Sequence, residues 1–194
     1  MSKELSIPLA QAASPATWLR VTSIVLLGSA FTAVCAHLSV PLFFTPVPLS
    51  LAPFAVLLLG LLLSPRLTAA TLGAYLAEGA MGLPVFSPTP PVPGMAHLLG
   101  PTGGYLLAYP FAALLISVLY RRTRRGFAAA ALTAAAGSLV ILVSGALWLA
   151  VLTHASAQSV LTLAVLPFLP GDALKITAAA ALAAGFFRLR RPEA

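Results

Sequence analysis

The stretch RRTRRGFAAAALTAAAGSLVILVSGALWLAVLT, Arg121 to Thr153, decides how this chain is read. Four arginines crowd into its first five residues, and no charge follows from Phe127 to Thr153. A helix of roughly 20 apolar residues crosses ~30 Å of hydrocarbon, at ~1.5 Å per residue. The run exceeds that length, so it spans with tilt. The arginines cannot follow it into lipid and mark one membrane face.

The whole chain agrees with this segment. Of 194 residues, 60% are hydrophobic and 8% charged, and the mean hydropathy is +1.01. A soluble domain carries about 25% charged residues to clothe its surface. With 11 basic and 4 acidic side chains, such a shell cannot be built. A cytosolic enzyme, a nucleic-acid-binding domain and a disordered chain are excluded. The expectation is an all-α integral membrane protein, one domain over 1–194. The net charge of +7 reflects topology signals and not one basic face. Cys35 is the lone cysteine, so neither an internal disulfide nor a thiol pair for metal is available.

Five further apolar runs accompany the first, at about 21–38, 49–63, 67–83, 104–120 and 172–187. Lys3, Arg20, Arg66, Arg121, Arg122, Arg124, Arg125, Arg188, Arg190 and Arg191 all fall on one side of a six-span arrangement. The connections 39–48, 84–103 and 154–171 carry no Lys or Arg. The positive-inside rule then predicts a six-helix bundle with both termini cytoplasmic. The cytoplasmic ends are 1–20 and 188–194, and 84–103 is an extracytoplasmic lid. A secretory signal peptide is the rival reading of the first run; its cleavage would leave five spans and break the charge parity.

The connections are unusual. Residues 84–103 hold Pro84, Pro88, Pro90, Pro91, Pro93 and Pro101 with Gly94, Gly100 and Gly103. Pro blocks helix, and a long uncharged loop is more than a connector. Apolar Phe86, Met95, Leu98 and Leu99 fold it back over the bundle as a lid. In the first run Gly28, Thr32 and Ala36 stand at i, i+4 and i+8, with Ser29 and Ala33 beside them. Such a smooth face either packs within the bundle or docks another membrane subunit.

Charges inside spans are functional candidates, and Glu78, Asp172 and Lys175 qualify. Asp172 and Lys175 share a helix face. They form either a helix cap with a neutralising Lys or a ligand site. The three sum to −1 if ionised, so an anionic ligand requires Glu78 to be neutral or turned away. Glu78 is expected to fix lid backbone N–H groups or be protonated. No Walker A or H-E-x-x-H pattern occurs. His37, His97 and His154 are scattered and predict no metal site. An intramembrane hydrolase is open only through long-range contacts.

Glu78-Gly-Ala-Met-Gly-Leu-Pro84-Val-Phe86, Gly100-Pro-Thr-Gly-Gly-Tyr105-Leu and Pro167-Phe-Leu-Pro-Gly-Asp172-Ala-Leu-Lys175 resemble the BioY family, in order. Pro46-Val-Pro48-Leu-Ser50-Leu and Leu57-Leu-Leu-Gly-Leu-Leu-Leu-Ser-Pro65-Arg66 resemble it too. That family supplies the substrate-binding S component of biotin energy-coupling factor transporters. The resemblance implies a six-helix bundle in the plasma (inner) membrane. It implies biotin as ligand, no cofactor, and work with a membrane T component and two ATPases. Biotin pairs a polar ureido ring with an apolar thioether ring, a chain and a carboxylate. The resemblance implies that Asp172 accepts a ureido N–H and Lys175 donates to a ligand oxygen. Tyr105 and Phe86 cover the ring, and the Thr102, Gly103 and Gly104 stretch closes over it. Glu78, Tyr75 and Ser50 are further candidates. The sequence departs from the family at Ser50-Leu51-Ala52-Pro53, where Thr-Leu-Gln-Thr is usual, and one ligand hydrogen bond is lost with the Gln. The competing readings are an autonomous carrier for biotin or another small acid, an intramembrane enzyme, or a structural assembly subunit.

Overall fold

The computed structural model describes residues 15–89 and 91–189. Lys3, Pro90, Arg190 and Arg191, and most of the predicted terminal segments, lie outside the described residues. The elements run α1 (Pro15–His37), β1 (Ser39–Val40), β2 (Leu49–Ser50), α2 (Ala52–Leu62), α3 (Pro65–Ala80), α4 (Met95–Leu99), α5 (Gly103–Arg121), α6 (Phe127–Thr153), α7 (Ala157–Ala164) and α8 (Leu169–Leu189). Each of the six predicted apolar runs overlaps one of α1, α2, α3, α5, α6 and α8.

By length and composition, α1, α5 and α6 can each cross a membrane. The pair α7 and α8, bent by 49°, makes a fourth span if taken together. The 11 residues of α2 reach only about 16 Å, too short to span alone, because Pro48 and the hairpin hold the preceding chain out of helix. Exposed Leu26, Leu27, Val34, Leu132, Leu139, Leu147 and Val151 line the outside of the long helices. In water they would form an apolar patch; in lipid they are solvated. This is a multi-pass membrane protein.

Local chemistry sets the boundaries. Pro53 and Pro65 occupy first-turn positions of α2 and α3, where a missing N–H costs nothing. Ser156 caps α7 by accepting from Ser159 N at 3.3 Å. The sequence predicts that Pro170 and Gly171 stop the chain before an Asp172 cap. Instead α8 starts at Leu169 and carries Asp172 in its first turn, since Pro is tolerated there.

The helix α5 packs against α2, α3, α4 and α6, while α8 packs against α2 and α6 and α1 against α2 and α3. The interior divides in two. At the lid end Tyr75, Phe86, Tyr105, Tyr109 and Phe168 cluster with Leu98, Leu106 and Leu142. At the arginine end Ala130, Ala134, Ala179, Ala180 and Ala183 surround Leu57, Leu61, Ile116 and Tyr120. The hairpin pairs Ser39 with Ser50 and Val40 with Leu49, which ties the end of α1 to the start of α2 at the rim of the lid end.

Candidate functional site

At the lid end the helices part around a small cavity of about 60 Å³. Tyr75 of α3, Tyr105, Leu106 and Tyr109 of α5, Ile141 and Leu142 of α6, and Asp172 of α8 form the wall with Phe168. The hairpin and α2 add Val47, Pro48, Ser50, Ala52 and Pro53, and the lid adds Ser87, His97 and Thr102. The lining is largely apolar with a few polar groups, the composition that buries a ligand and fixes its orientation.

Among the described residues Asp172 is the sole carboxylate of this lining. It is 7% exposed, and a buried charge must be paired and hydrogen-bonded. Ser138 Oγ donates to its Oδ2 at 3.0 Å, and Lys175 Nζ donates to Oδ1 at 3.2 Å. The Lys175 side chain lines a separate lateral groove with Leu38, Phe54, Leu174 and Ala178. Asp172 thus lines the cavity, while Lys175, equally buried, lines the adjoining groove, and Ser50 borders both.

Two hydroxyls in the cavity wall lack partners among the described residues: Tyr75 OH and Thr102 Oγ1. Tyr75 is fully buried. Leaving a buried polar group unpaired costs about 1–3 kcal/mol, so both stand ready for a ligand's polar atoms. The Tyr105 hydroxyl is already used, donating to the Ala164 carbonyl at 2.7 Å. Thr68 and Tyr120 also carry unpaired hydroxyls, but outside this lining.

The lid sits on the cavity through three attachments. Trp148 Nε1 donates to the Gly100 carbonyl at 2.9 Å. Ser39 and Ser87 hydroxyls bond at 2.9 Å, joining hairpin to lid. Phe86 and His97 rings lie 5.1 Å apart, and Phe86 meets Tyr75 edge-on at 5.4 Å. Gly94, at φ 68°, opens α4 in a backbone conformation that few side chains tolerate.

A model of the BioY family matches residues 5–192. The chain belongs to the BioY family. The probable biotin transporter BioY of Pyrococcus horikoshii is 38% identical over 83% of this chain and 92% of its own. The biotin transporter BioY2 of Lactococcus lactis is 35% identical, covering 82% and 85%. The biotin transporter BioY of Thermotoga maritima is 32% identical, covering 85% and 92%. A solved S-component for biotin from an ECF-type ABC transporter superposes with a TM-score of 0.82 at 26% identity, over 91% of this chain and 95% of that one.

Within this BioY chain, five of the residues expected around a ligand line the cavity: Asp172, Tyr105, Tyr75, Thr102 and Ser50. The others lie elsewhere. Phe86 stands behind Tyr75, its ring filling the space at Gly79, where a Cβ would lie 2.0 Å from it. Gly103 and Gly104 do not close over the cavity. Their missing Cβ atoms would fall 1.8 Å from the Leu98 carbonyl oxygen and 2.2 Å from Trp148 Cβ, so the pair lets α5 approach the lid and α6. Glu78 neither fixes lid N–H groups with its side chain nor lines the cavity; its Oε2 accepts from Ser29 Oγ and joins α3 to α1. Gly28, Ser29, Thr32 and Ala36 are buried, with α1 packed on α2 and α3. A Cβ on Gly28 would lie 2.5 Å from the Thr71 methyl. With half-buried Ala33, this face is internal packing and not a free docking stripe, because small residues are what let α1 and α3 touch.

Sequence reasoning missed Ser138, Tyr109, Ser87 and His97. Ser138 carries no signal, being 34 residues from the carboxylate it serves. His97 does carry one, between Gly94 and the Gly100-Pro-Thr-Gly-Gly run, but the scatter of the three histidines hides it.

Proposed function

We propose that this chain is the biotin-capturing S component of an energy-coupling factor transporter in the plasma (inner) membrane. The observation that carries this reading is a fixed carboxylate and unpaired hydroxyls in the wall of a largely apolar cavity. A carboxylate only accepts, so the ligand brings it a hydrogen-bond donor, which the N–H groups of a ureido ring supply. The aromatic and aliphatic wall then suits a thioether ring and chain. Asp172 accepts a ureido N–H; Lys175, behind it, sets its position and balances its charge. Tyr75, Thr102 and Ser50 offer hydroxyls, and Tyr105 packs on the ring.

In this reading α1, α2 together with the extended chain that leads into it, α3, α5, α6 and α8 cross the membrane, the arginine end is cytoplasmic, and the lid faces out. The one-sided placement of basic residues supports that orientation. The chain captures biotin and passes it inward with a membrane T component and two ATPases; the S-component title of the structural neighbour supports the partnership. The test is titration of the purified protein in detergent with biotin, desthiobiotin, thiamine and riboflavin. Tight one-to-one binding of unchanged biotin is the expected result. Silence toward biotin, or its conversion to product, defeats the reading.

A further inference from the structure

The cavity lining leaves one end of an anionic ligand without a partner. Its only carboxylate repels a second one, and no Lys or Arg lines it among the described residues. Lys175 faces the lateral groove. Ala52 and Pro53 offer no polar side-chain atom. His97 is the exception. It is 3% exposed, and it borders both the cavity and the groove on the outer side of the lid.

Its chemistry is set by one contact. Nδ1 lies 2.9 Å from the Val92 carbonyl. A carbonyl only accepts, so Nδ1 carries the proton and donates. That leaves Nε2 as a bare lone pair at neutral pH, with no protein hydrogen bond among the described residues. Adding a proton turns the same edge into a charged donor. Burial holds the His97 pKa below its usual range, offset in part by the Val92 carbonyl, so the empty protein keeps it neutral. The titratable and charged groups around the two spaces it borders are Asp172, Tyr75, Tyr105 and Tyr109 in the cavity and His37 in the outer groove. None of these supplies a cation inside the cavity.

We propose that His97 is a specificity-determining residue whose protonated ring pairs with the ligand's carboxylate, so that biotin binds together with one proton. The inference rests on the biotin reading and adds to it the group that recognises the acid end. By linkage, a ligand that raises the pKa of His97 binds more tightly as pH falls. The limit is about tenfold per pH unit, because a single proton is taken up with each ligand bound.

The experiment is binding to the full chain in detergent between pH 8 and pH 5.5, with biotin and with its neutral carboxamide. Both ligands keep the ureido and thioether rings, and the acid stays ionised over this range. Biotin affinity should rise about tenfold toward pH 5.5 while carboxamide affinity stays level. His97→Gln should flatten the biotin profile, and His154→Asn, a change in the connection after α6, should leave it as in the wild type. A level biotin profile in the wild type overturns the proposal, as does an equal rise for the carboxamide or a rise that survives in His97→Gln. If His97→Gln does not fold, the two-ligand comparison on the wild type still decides. Binding of neither ligand at any pH overturns the biotin reading itself, whereas level binding of both overturns only the role of His97.

Discussion

The lid end and the arginine end of this bundle both pack buried alanines, and they differ in where the rings gather, five at the lid end against Tyr120 alone among the described buried residues at the other. At the lid end, large rings from α3 and α5 meet Phe86 and Phe168 and leave a cavity between them. At the arginine end, five alanines draw the helices together around Leu57, Leu61 and Ile116. Rings are rigid and wide, so helices that carry them stand apart, and the gaps between ring edges persist as space. Alanines let backbones meet, and the space left at the arginine end lies between Arg125–Phe127 and Ala184–Arg188, away from the alanine seam.

Breaking the comparison at the lid end should give the largest effect. Asp172→Ala removes the cavity's carboxylate and strands Lys175, which is 8% exposed. An uncompensated buried charge costs about 3–5 kcal/mol, so both melting temperature and biotin binding should fall steeply. Asp172→Asn keeps the shape, and its affinity should drop by about 10- to 150-fold, the worth of a charge-assisted hydrogen bond of about 1.5–3 kcal/mol. Unchanged titration curves for Asp172→Asn would remove Asp172 from the site.

At the arginine end the readouts should separate. Ala180→Leu adds volume where exposure is zero, and overpacking of this kind costs about 1–3 kcal/mol. Thermal melting should show that loss, with biotin affinity in the surviving folded protein near wild type. If affinity falls as much as in Asp172→Asn, the two ends are one cooperative unit. Gly28→Leu belongs to the same class, since the α1–α3 seam has no room for a side chain.

A smaller change sharpens the contrast. Tyr75→Phe deletes a buried hydroxyl that has no partner. Removing an unpaired polar group is neutral or stabilising for the empty protein, so the melting temperature should hold or rise. Ligand affinity should drop about fivefold, for one lost hydrogen bond of about 1 kcal/mol. Equal affinity would show that the hydroxyl is not used.

The smallest expected effect is on the stability of the empty protein against pH. His97 is held below its unfolded pKa of about 6.5, so the unfolded chain binds more protons in that window. Its contribution is fully present above about pH 6.5 and is lost as pH falls below it. The melting temperature of the empty protein should therefore decline on acidification, and His97→Gln should reduce the decline. Saturating biotin should reduce it too, if the acid end of the ligand stabilises the protonated ring.

The long apolar helices were legible because a membrane demands long uncharged runs, and charge is scarce enough here to map by eye; the short helices α4 and α7, inside segments read as connections, were not. Asp172 and Lys175 were legible because helical spacing alone places residues three apart on one face. Direction was not. The same two residues face different spaces, one the cavity and one the lateral groove. Glu78 looks like a third member of that group but turns to Ser29, a partner contributed by another helix. The glycine pair at 103–104 reads as a loop signal in the sequence and proves to be a packing contact with Trp148 and Leu98.

What the chain determined by itself is its solvent. Sixty per cent apolar residues and eight per cent charge leave only lipid as surroundings, and the distribution of arginines divides the loops into two sets. These follow from transfer energies, which depend on residue type and not on neighbours. What only the tertiary structure decided is which polar groups meet. Ser138 reaches Asp172 across 34 residues, and His97 folds back over the cavity on a lid held by Trp148 and Ser39. Such meetings depend on how close two helices come and how they are turned, and that is set by small residues whose effect appears only once the partner helix is in place.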